Sequence, residues 1–147
     1  MRKINHLIIH CSATREDRPY TVANLQNDHL SRGFRGSGYH YYIRRDGTVT
    51  NTRPIELVGA HVKGYNKHSI GICYEGGLDA SGNPKDTRTP EQRSALRLLV
   101  AQLLRRFKDE VRVCGHRDLS PDLNGDGTVE PREWVKQCPC FEVSREL

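Results

Sequence analysis

The chain contains 147 residues, of which 35% are hydrophobic and 28% charged, and it carries a formal net charge of +5 at pH 7. That length suits one domain over residues 1–147, which can bury about two-thirds of its unfolded surface, and the hydrophobic content argues against a disordered chain. No apolar run approaches the roughly 20 residues that cross a bilayer, so the sequence predicts no membrane span.

The first predicted elements are a buried strand and a helix. Residues 4–10 contain the apolar run Leu7-Ile8-Ile9, which is short enough for a buried strand that ends at His10. Thr21 is a suitable N-cap for a helix that runs to about residue 31. Gly33 lies just beyond the end of this helix, where glycine is common.

An Asp-Gly turn and a further strand follow. Asp46-Gly47 is a strong hairpin signal, and the residues on either side, 39–44 and 48–51, are predicted to form its two strands. Residues 69–74 form another apolar run of strand length. Together with the first strand, these segments indicate a sheet at the centre of the domain.

The clearest helix begins after Thr89, which is followed by Pro90 in the first turn and by Gln92 at the capping-box position. Apolar residues then recur at helical spacing and are assigned to the core: Leu96, Leu99, Val100, Leu103 and Phe107. A final strand over residues 111–114 leads to His116, and a short helix is expected around residues 133–137. The pattern predicts an α/β fold, with a single domain and a central mixed β-sheet flanked by helices.

Five cysteines are an odd number, which argues against a complete disulfide framework. Cys11, Cys73 and Cys114 lie in or at the ends of predicted strands, where we expect them to be small buried apolar residues. Cys138 and Cys140 are separated by one residue, so they do not form the Cys-x-x-Cys pair of a structural zinc site.

Two histidines and a cysteine form a candidate zinc site. His10 and His116 each end a predicted strand, where the backbone position is well fixed, and Cys138 supplies a thiolate, with Cys140 as its rival. Imidazole and thiolate ligands suit zinc, although iron or cobalt fit the same ligands. Three protein ligands leave the fourth tetrahedral position open, which is typical of catalytic zinc.

Seven segments of the chain match the pattern of one enzyme family in their order and approximate spacing. They are residues 10–14, 38–41, 45–49, 58–66, 69–73, 114–116 and 136–139. On these segments, the chain resembles the zinc N-acetylmuramoyl-L-alanine amidases of the phage T7 lysozyme type, which are related to peptidoglycan-recognition proteins. The resemblance covers nearly the whole chain. It implies the fold of that family and cleavage of the amide between N-acetylmuramic acid and the L-alanine of the stem peptide.

The resemblance also implies roles for individual residues. It favours Cys138 over Cys140 as the third zinc ligand, because residues 136–139 match the family pattern. Tyr39 and Lys136 match the active-site tyrosine and lysine of the family, which are expected to stabilise the oxyanion or to relay a proton to the leaving amine. His61 matches a position in the substrate cleft, where we expect it to assist substrate binding or proton transfer rather than to act as a fourth ligand.

Residues 122–133 fit the EF-hand calcium-loop template at every specified position. The candidate calcium ligands, including one backbone carbonyl at Thr128, are Asp122, Asn124, Asp126, Thr128, Glu130 and Glu133. Residues 134–136 are expected to begin an exiting helix, whereas no strong incoming helix is evident. Bound calcium would order the segment between His116 and Cys138. The same sequence also suits an Asx-rich turn without an ion, and the spacing leaves both interpretations open.

Charge is distributed unevenly along the chain. Residues 118–133 carry a net charge of −4, which leaves +9 for the remainder. A strongly basic surface raises encounter rates with anionic polymers, and peptidoglycan with its attached acidic polymers is the expected partner. No nucleic-acid-binding motif is present, so we expect no nucleic-acid partner. We also expect a monomer.

The sequence therefore predicts a zinc-dependent peptidoglycan amidase, and we expect a phage or prophage endolysin. Residues 1–6 lead into no apolar signal-peptide core or cleavage site, so we expect synthesis in the cytoplasm and release to the cell wall by a separate route. One alternative is a non-catalytic peptidoglycan-binding module on the same fold, which would not require Cys138, Tyr39 and Lys136. Another is a zinc peptidase that cuts within the stem peptide.

Overall fold

The fold is built around a five-stranded β-sheet, and the computed structural model describes residues 1–108 and 110–147. The strands are β1 (His6–Cys11), β2 (Thr14–Arg15), β3 (Tyr41–Ile43), β4 (Val49–Asn51), β5 (Ser69–Tyr74), β6 (Gly77–Leu78) and β7 (Arg112–Gly115). The α-helices are α1 (Val22–Ser31), α2 (Pro90–Arg106) and α3 (Val143–Glu146), with short 3-10 helices at Asn66–His68, His116–Leu119 and Pro131–Glu133. Within these described residues, no helix is both long and apolar enough to cross a membrane.

The sheet is mixed, with the strand order β4-β3-β5-β1-β7. Strands β3, β5, β1 and β7 run parallel to their neighbours, and β4 pairs with β3 in an antiparallel hairpin. Strand β1 lies between two others, with Leu7 opposite Ile70 of β5 and Val113 of β7. Every residue of β5 is buried, which agrees with its nearly continuous apolar sequence, because parallel strands are covered on both faces.

Side chains of β1 alternate between two apolar cores. Leu7 and Ile9 belong to the larger core, which α2 completes with Leu96, Leu99, Val100 and Leu103. Ile8 lies on the opposite face, in a cluster with Val62 and Cys114. The same alternation places His10 on the face of Ile8. Its register partner there is Cys73 of β5, and Leu25 of α1 packs against Cys73. Both faces of the sheet are therefore covered by helices.

The main predicted elements are confirmed, with small shifts at their ends. Thr21 and Thr89 are N-caps of α1 and α2, and each takes part in a complete capping box. The Asp-Gly hairpin is present with Gly47 at φ +89°, although its strands are shorter than predicted. The last strand of the sheet begins and ends one residue later than predicted. The α/β class and the central mixed sheet are confirmed.

The helix predicted for residues 133–137, and with it the exiting helix at 134–136, is wrong. The chain forms a 3-10 helix over Pro131–Glu133 and then becomes extended at Trp134, with φ −66° and ψ 124°. The guanidinium carbon of Arg117 lies 3.8 Å from the centroid of the Trp134 ring. This stacking is a tertiary contact that holds the segment extended, and local helix signals do not report it.

Candidate metal centre

His10 and His116 are brought together at the carboxyl ends of two neighbouring parallel strands. His10 lies near the end of β1, and His116 directly follows β7. Because Ile9 and Gly115 are register partners, the residues after them emerge at the same edge of the sheet. The two imidazole centroids are 4.9 Å apart. His10 is only 1% exposed, so the surrounding core fixes the position of its ring.

Cys138 reaches the two histidines from a segment that tertiary hydrogen bonds anchor at Cys138 and at the residue after it. The backbone N–H of Arg117 donates to the carbonyl of Cys138 at 2.9 Å. The hydroxyl of Tyr74, which is fully buried in β5, donates to the carbonyl of Pro139 at 2.5 Å. These bonds tie the segment to the sheet and to the turn after β7, so the thiol is held although its own segment is irregular.

The sulfur of Cys138 also faces a donor that suits a thiolate. The backbone N–H of Cys11 donates to this sulfur at 3.2 Å, and such bonds stabilise the charged form of a ligand. The sulfur of Cys140 instead lies 3.5 Å from the carbonyl oxygen of Gly77 and is not part of the histidine cluster. The geometry therefore favours Cys138 over its rival.

The three side chains have the spacing and chemistry that a metal ion needs. One ligand atom from each of His10, His116 and Cys138 lies within 4.8 Å of the others. Nδ1 of His10 is the nitrogen that faces the sulfur of Cys138, at 3.9 Å. Zinc bonds of about 2.0–2.3 Å separate tetrahedral ligand atoms by roughly 3.5 Å, so a small contraction would complete the site. Two imidazoles and a thiolate fit zinc in particular.

Burial keeps both imidazoles in the form that binds metals. The pKa of His10 falls well below its usual value, mainly because the ring is buried, and also because its protonated form would be repelled by Lys136 and by any charge on His61 or His116. Burial, together with the charge of Lys136, lowers the pKa of His116 to about 4. Both rings are therefore neutral at pH 7, with a nitrogen lone pair available to a metal.

The candidate ligands share one cleft with the other three predicted site residues, Tyr39, His61 and Lys136. The cleft has a volume of about 230 Å³, and its remaining lining is Cys11, Ser12, Ala13, His29, Arg32, Phe34 and Ala60. The ring centroid of Tyr39 is 4.9 Å from that of His10. Burial raises the pKa of the Tyr39 phenol well above its usual value, so the phenol remains a hydrogen-bond donor at neutral pH. Lys136 is exposed at the rim.

His61 lies directly beside His10 but outside the cluster of three ligands. Its Nδ1 atom is 2.8 Å from Nε2 of His10, and its Nε2 atom is 3.2 Å from the hydroxyl of Ser69. The sequence contains no signal for this contact, because it joins residues that are 51 positions apart and lie in different elements. Its role in substrate binding stays a prediction.

Two further histidines near the centre are held by structural hydrogen bonds. The ring of His40 is buried and accepts the backbone N–H of Gly71 at 3.1 Å. His29 packs on the inner face of α1 and accepts the backbone N–H of Gly38 at 2.8 Å, while its ring also lines the cleft. His29 is thus both a packed residue of α1 and part of the cleft lining.

Residues 122–133, hereafter the acidic loop, bring three carboxylates together. Oxygen atoms of Asp122, Asp126 and Glu133 lie within 4.8 Å of one another. Glu133 is 4% exposed, and its carboxylate accepts backbone N–H groups from Leu123, Asn124 and Glu130. Asp122 accepts the backbone N–H groups of Gly125 and Gly127, at 3.1 and 2.7 Å.

The other candidate calcium ligands also bond within the acidic loop. The side-chain oxygen of Asn124 accepts the N–H of Asp126 at 3.1 Å, while its amide donates to Glu130 at 3.2 Å. The N–H of Thr128 donates to Asp126 at 2.9 Å. The six positions therefore lie in one turn whose acidic groups already have donors. Calcium binding stays a prediction.

Known proteins match this chain over nearly its full length. The model of the N-acetylmuramoyl-L-alanine amidase family matches residues 1–139. The endolysin of Klebsiella phage KP32 is 38% identical over 98% of this chain and 85% of its own length. The endolysin of Escherichia phage T7 is 35% identical over 95% of this chain and 82% of its own length.

A solved structure shares the same architecture. The N-acetylmuramoyl-L-alanine amidase LysC from Clostridium intestinale superposes with a TM-score of 0.74 at 26% identity, and the match covers 99% of this chain and 82% of LysC. The resemblance predicted from seven short segments is therefore confirmed over the whole fold. By both the family match and these relatives, the chain belongs to the N-acetylmuramoyl-L-alanine amidase family.

Proposed function

We propose that this protein is a zinc-dependent N-acetylmuramoyl-L-alanine amidase that cleaves the amide between N-acetylmuramic acid and the L-alanine of the stem peptide, as a phage or prophage endolysin. One observation carries the proposal: in a member of the amidase family, His10, His116 and Cys138 converge in the same cleft as Tyr39 and Lys136. A module that only binds peptidoglycan has no need for this combination of metal ligands and polar donors.

Each group of residues in the cleft has its own role in the proposed reaction. Zinc, when bound by His10, His116 and Cys138, supplies a Lewis acid that polarises the amide carbonyl and activates water. The phenol of Tyr39 remains protonated and donates a hydrogen bond toward the oxygen on which negative charge develops. Lys136 contributes positive charge from the rim of the same cleft. Loss of one such donor typically costs about 2.7–4 kcal/mol of transition-state stabilisation.

The proposed partner is peptidoglycan, and the proposed site of action is the bacterial cell wall, which the protein reaches by a separate release route. Support comes from the endolysin relatives and from the charge of the chain, which is +9 outside residues 118–133. A positive surface raises the encounter rate with the anionic polymers of the wall. We also propose that the protein acts as a monomer.

Mass spectrometry of digested peptidoglycan tests the activity. Zinc-loaded protein should release intact stem peptides that carry a free L-alanine amine. A Cys138→Ser variant should release none, whereas a Cys140→Ser variant serves as the matched control and should retain cleavage. Cuts within the stem peptide would identify a peptidase instead. Binding to the wall without any cleavage, by protein verified to contain zinc, would identify a recognition module.

We also propose that the acidic loop binds calcium, which would order the segment leading to Lys136 and Cys138. The proposal is supported by the full match to the EF-hand template and by the proximity of the Asp122, Asp126 and Glu133 carboxylates. Calorimetric titration with Ca²⁺ should show one site that Asp126→Asn weakens, whereas Asp17→Asn, an exposed acid outside the loop, should not. The proposal fails if calcium changes neither thermal stability nor zinc affinity.

A further inference from the structure

A chain of hydrogen bonds runs from the metal centre into the sheet through His61. Nε2 of His10 lies 2.8 Å from Nδ1 of His61, and Nε2 of His61 lies 3.2 Å from the hydroxyl of Ser69. Ser69 is the first residue of β5 and is fully buried. Both ring nitrogens of His61 are therefore directed at protein atoms.

The direction of hydrogen bonding along this chain follows from the metal site. Nδ1 of His10 faces the sulfur of Cys138, so this is the nitrogen that would offer its lone pair to a bound metal. The hydrogen of the neutral His10 ring is then on Nε2, which donates to Nδ1 of His61. Since His61 accepts through Nδ1, its own hydrogen is on Nε2 and is donated to Ser69. One tautomer of each ring satisfies every contact.

The ring of His61 is held in place by tight packing. A β-carbon added to Gly71 would lie 2.8 Å from three atoms of this ring, and one added to Gly59 would lie 2.8 Å from its Cδ2 atom. Either side chain would displace the ring, so both glycines leave the space that it occupies. The side-chain oxygen of Asn66 accepts the backbone N–H groups of His61 and Val62, each at 2.9 Å, which fixes the backbone as well.

We propose that His61 is a positioning residue of the metal centre: through Nδ1 it holds the ring of His10 in the tautomer and orientation that bind zinc. This inference deepens the proposed function and rests on the zinc site that it assumes. It gives His61 a different task from the substrate contact expected from the sequence. Partners that orient ligating histidines typically change metal affinity by about 10- to 100-fold when removed.

Two substitutions of similar size separate this role from simple packing. The His61→Asn variant places a side-chain oxygen near the position of Nδ1 and keeps an acceptor for His10. His61→Gln extends its amide toward the Nε2 position instead and loses that acceptor. Zinc affinity is measured by competition with a chromophoric chelator, and the geometry of the site is followed through the visible absorption bands of bound Co²⁺.

We expect His61→Gln to weaken zinc binding by about 10- to 100-fold and to alter the Co²⁺ spectrum. His61→Asn should retain most of the affinity and a spectrum close to that of the original protein. The zinc affinity of Ser69→Ala should lie between those of the two His61 variants, because this substitution removes only the group that orients His61. Thermal unfolding of the metal-free variants reports whether each protein has folded.

The inference is overturned if His61→Gln leaves zinc affinity and the Co²⁺ spectrum unchanged while raising KM, since His61 would then contact substrate. It is also overturned if the Asn and Gln variants lose zinc equally, because a shared loss indicates packing rather than the hydrogen bond. Zinc affinity and the Co²⁺ spectrum, which decide the inference, do not depend on peptidoglycan cleavage. A protein that shows the expected zinc affinities but releases no stem peptide would refute the proposed amidase activity and leave the role of His61 intact.

Discussion

The metal centre and the acidic loop both gather potential ligands, but their side chains are held in different ways. His10 lies in β1 and His116 directly follows β7, and these two strands are paired in the sheet. The carboxylates of the acidic loop are held by backbone N–H groups of the loop itself, as with Asp122 and the N–H groups of Gly125 and Gly127. The geometry of the metal centre is therefore determined by the sheet, whereas that of the acidic loop is determined by hydrogen bonds within the loop.

This difference has a consequence for what each site can tolerate. The sheet fixes the candidate zinc ligands before any metal binds, so a ligand can be removed without removing the support beneath it. In the acidic loop, the groups that would bind an ion also form the hydrogen bonds that shape the turn. A substitution there changes structure and binding together, but in calcium-free protein its effects should remain within residues 122–133.

The largest effect is expected at the metal centre itself. His116→Ala removes one of three candidate ligands, so zinc content and cleavage should both be lost, with cleavage falling by more than the roughly 10²–10³-fold typical of a single lost oxyanion donor. Because β7 ends before this residue, the melting temperature of the metal-free protein should change little.

The matched control for this variant is His68→Ala, at a histidine outside the cleft whose ring bonds to the carbonyl of Lys3. Zinc content by elemental analysis and stem-peptide release by mass spectrometry are compared for both proteins. If His116→Ala unfolds the protein, the sheet does not hold the centre independently of its ligands, and the contrast between the two sites is lost.

The next largest effect is expected from a substitution at Gly38, which packs against a residue that lines the cleft. A β-carbon at Gly38 would lie 2.2 Å from the carbonyl oxygen of Ala60, and backbone cannot move aside as a side chain can. Gly38→Ala should therefore lower the free energy of unfolding by about 1–3 kcal/mol. It should also reduce activity, because Ala60 lines the cleft beside His61.

Gly125 provides the counterpart in the acidic loop. It has open space around it but a φ of +71°, so Gly125→Ala meets strain rather than a clash, at a cost of about 1–2 kcal/mol that should be confined to the loop. Urea unfolding and zinc-dependent cleavage are measured for both variants. Equal losses of global stability would show that the loop is as strongly coupled to the fold as the cleft.

Sequence reasoning located the candidate histidine ligands because two physical regularities coincide there. Short apolar runs mark buried strands, and parallel strands deliver the residues that follow them to one edge of the sheet. His10 and His116 could therefore be placed together before their separation was known. The family resemblance then selected Cys138, whose segment carries no comparable regularity of its own.

What the sequence did not predict depends on contacts between distant segments. The pairing of His10 with His61 requires the space left by Gly71, and a glycine in a strand does not reveal which side chain will occupy that space. The predicted helix at 133–137 was wrong because Trp134 stacks on Arg117 in an extended conformation. In both cases a tertiary contact outweighs local propensity.

A smaller, local effect is expected from the buried carboxylate of the acidic loop. Hydrogen bonds from backbone N–H groups, that of Glu130 first, hold the pKa of Glu133 below its usual value. Glu133→Gln should loosen the turn, so limited proteolysis within residues 122–133 should accelerate several-fold while the global melting temperature stays the same. A clear fall in melting temperature would show that the acidic loop also stabilises the sheet, which would contradict the distinction between the two sites.

The smallest effect is expected outside both sites, in an ion-pair network that holds the C-terminal helix. Arg88 bonds to Asp86 at 2.9 Å and also to Glu146 of α3, while Arg93 bridges the same two acids. Burial alone would raise the pKa of Asp86, but the hydrogen bond and charge of Arg88 and the charge of Arg93 lower it. Asp86, Glu146 and Arg93 are partly exposed, and the buried Arg88 keeps Glu146 as a partner, so Asp86→Asn should cost only about 0.2–1 kcal/mol at pH 7.

The lowered pKa of Asp86 determines how the effect of Asp86→Asn on the unfolding free energy changes with pH. A carboxyl group with a lowered pKa in the folded protein stabilises it above the unfolded pKa of about 3.9, and that contribution is lost as the pH falls through the folded value. The difference in unfolding free energy between the original protein and Asp86→Asn should therefore be present at pH 7 and vanish in strong acid. A difference that persists at low pH would mean that Asp86 stabilises the protein by packing. The geometry of this ion-pair network, like that of the metal centre, would then be determined by the fold rather than by charge.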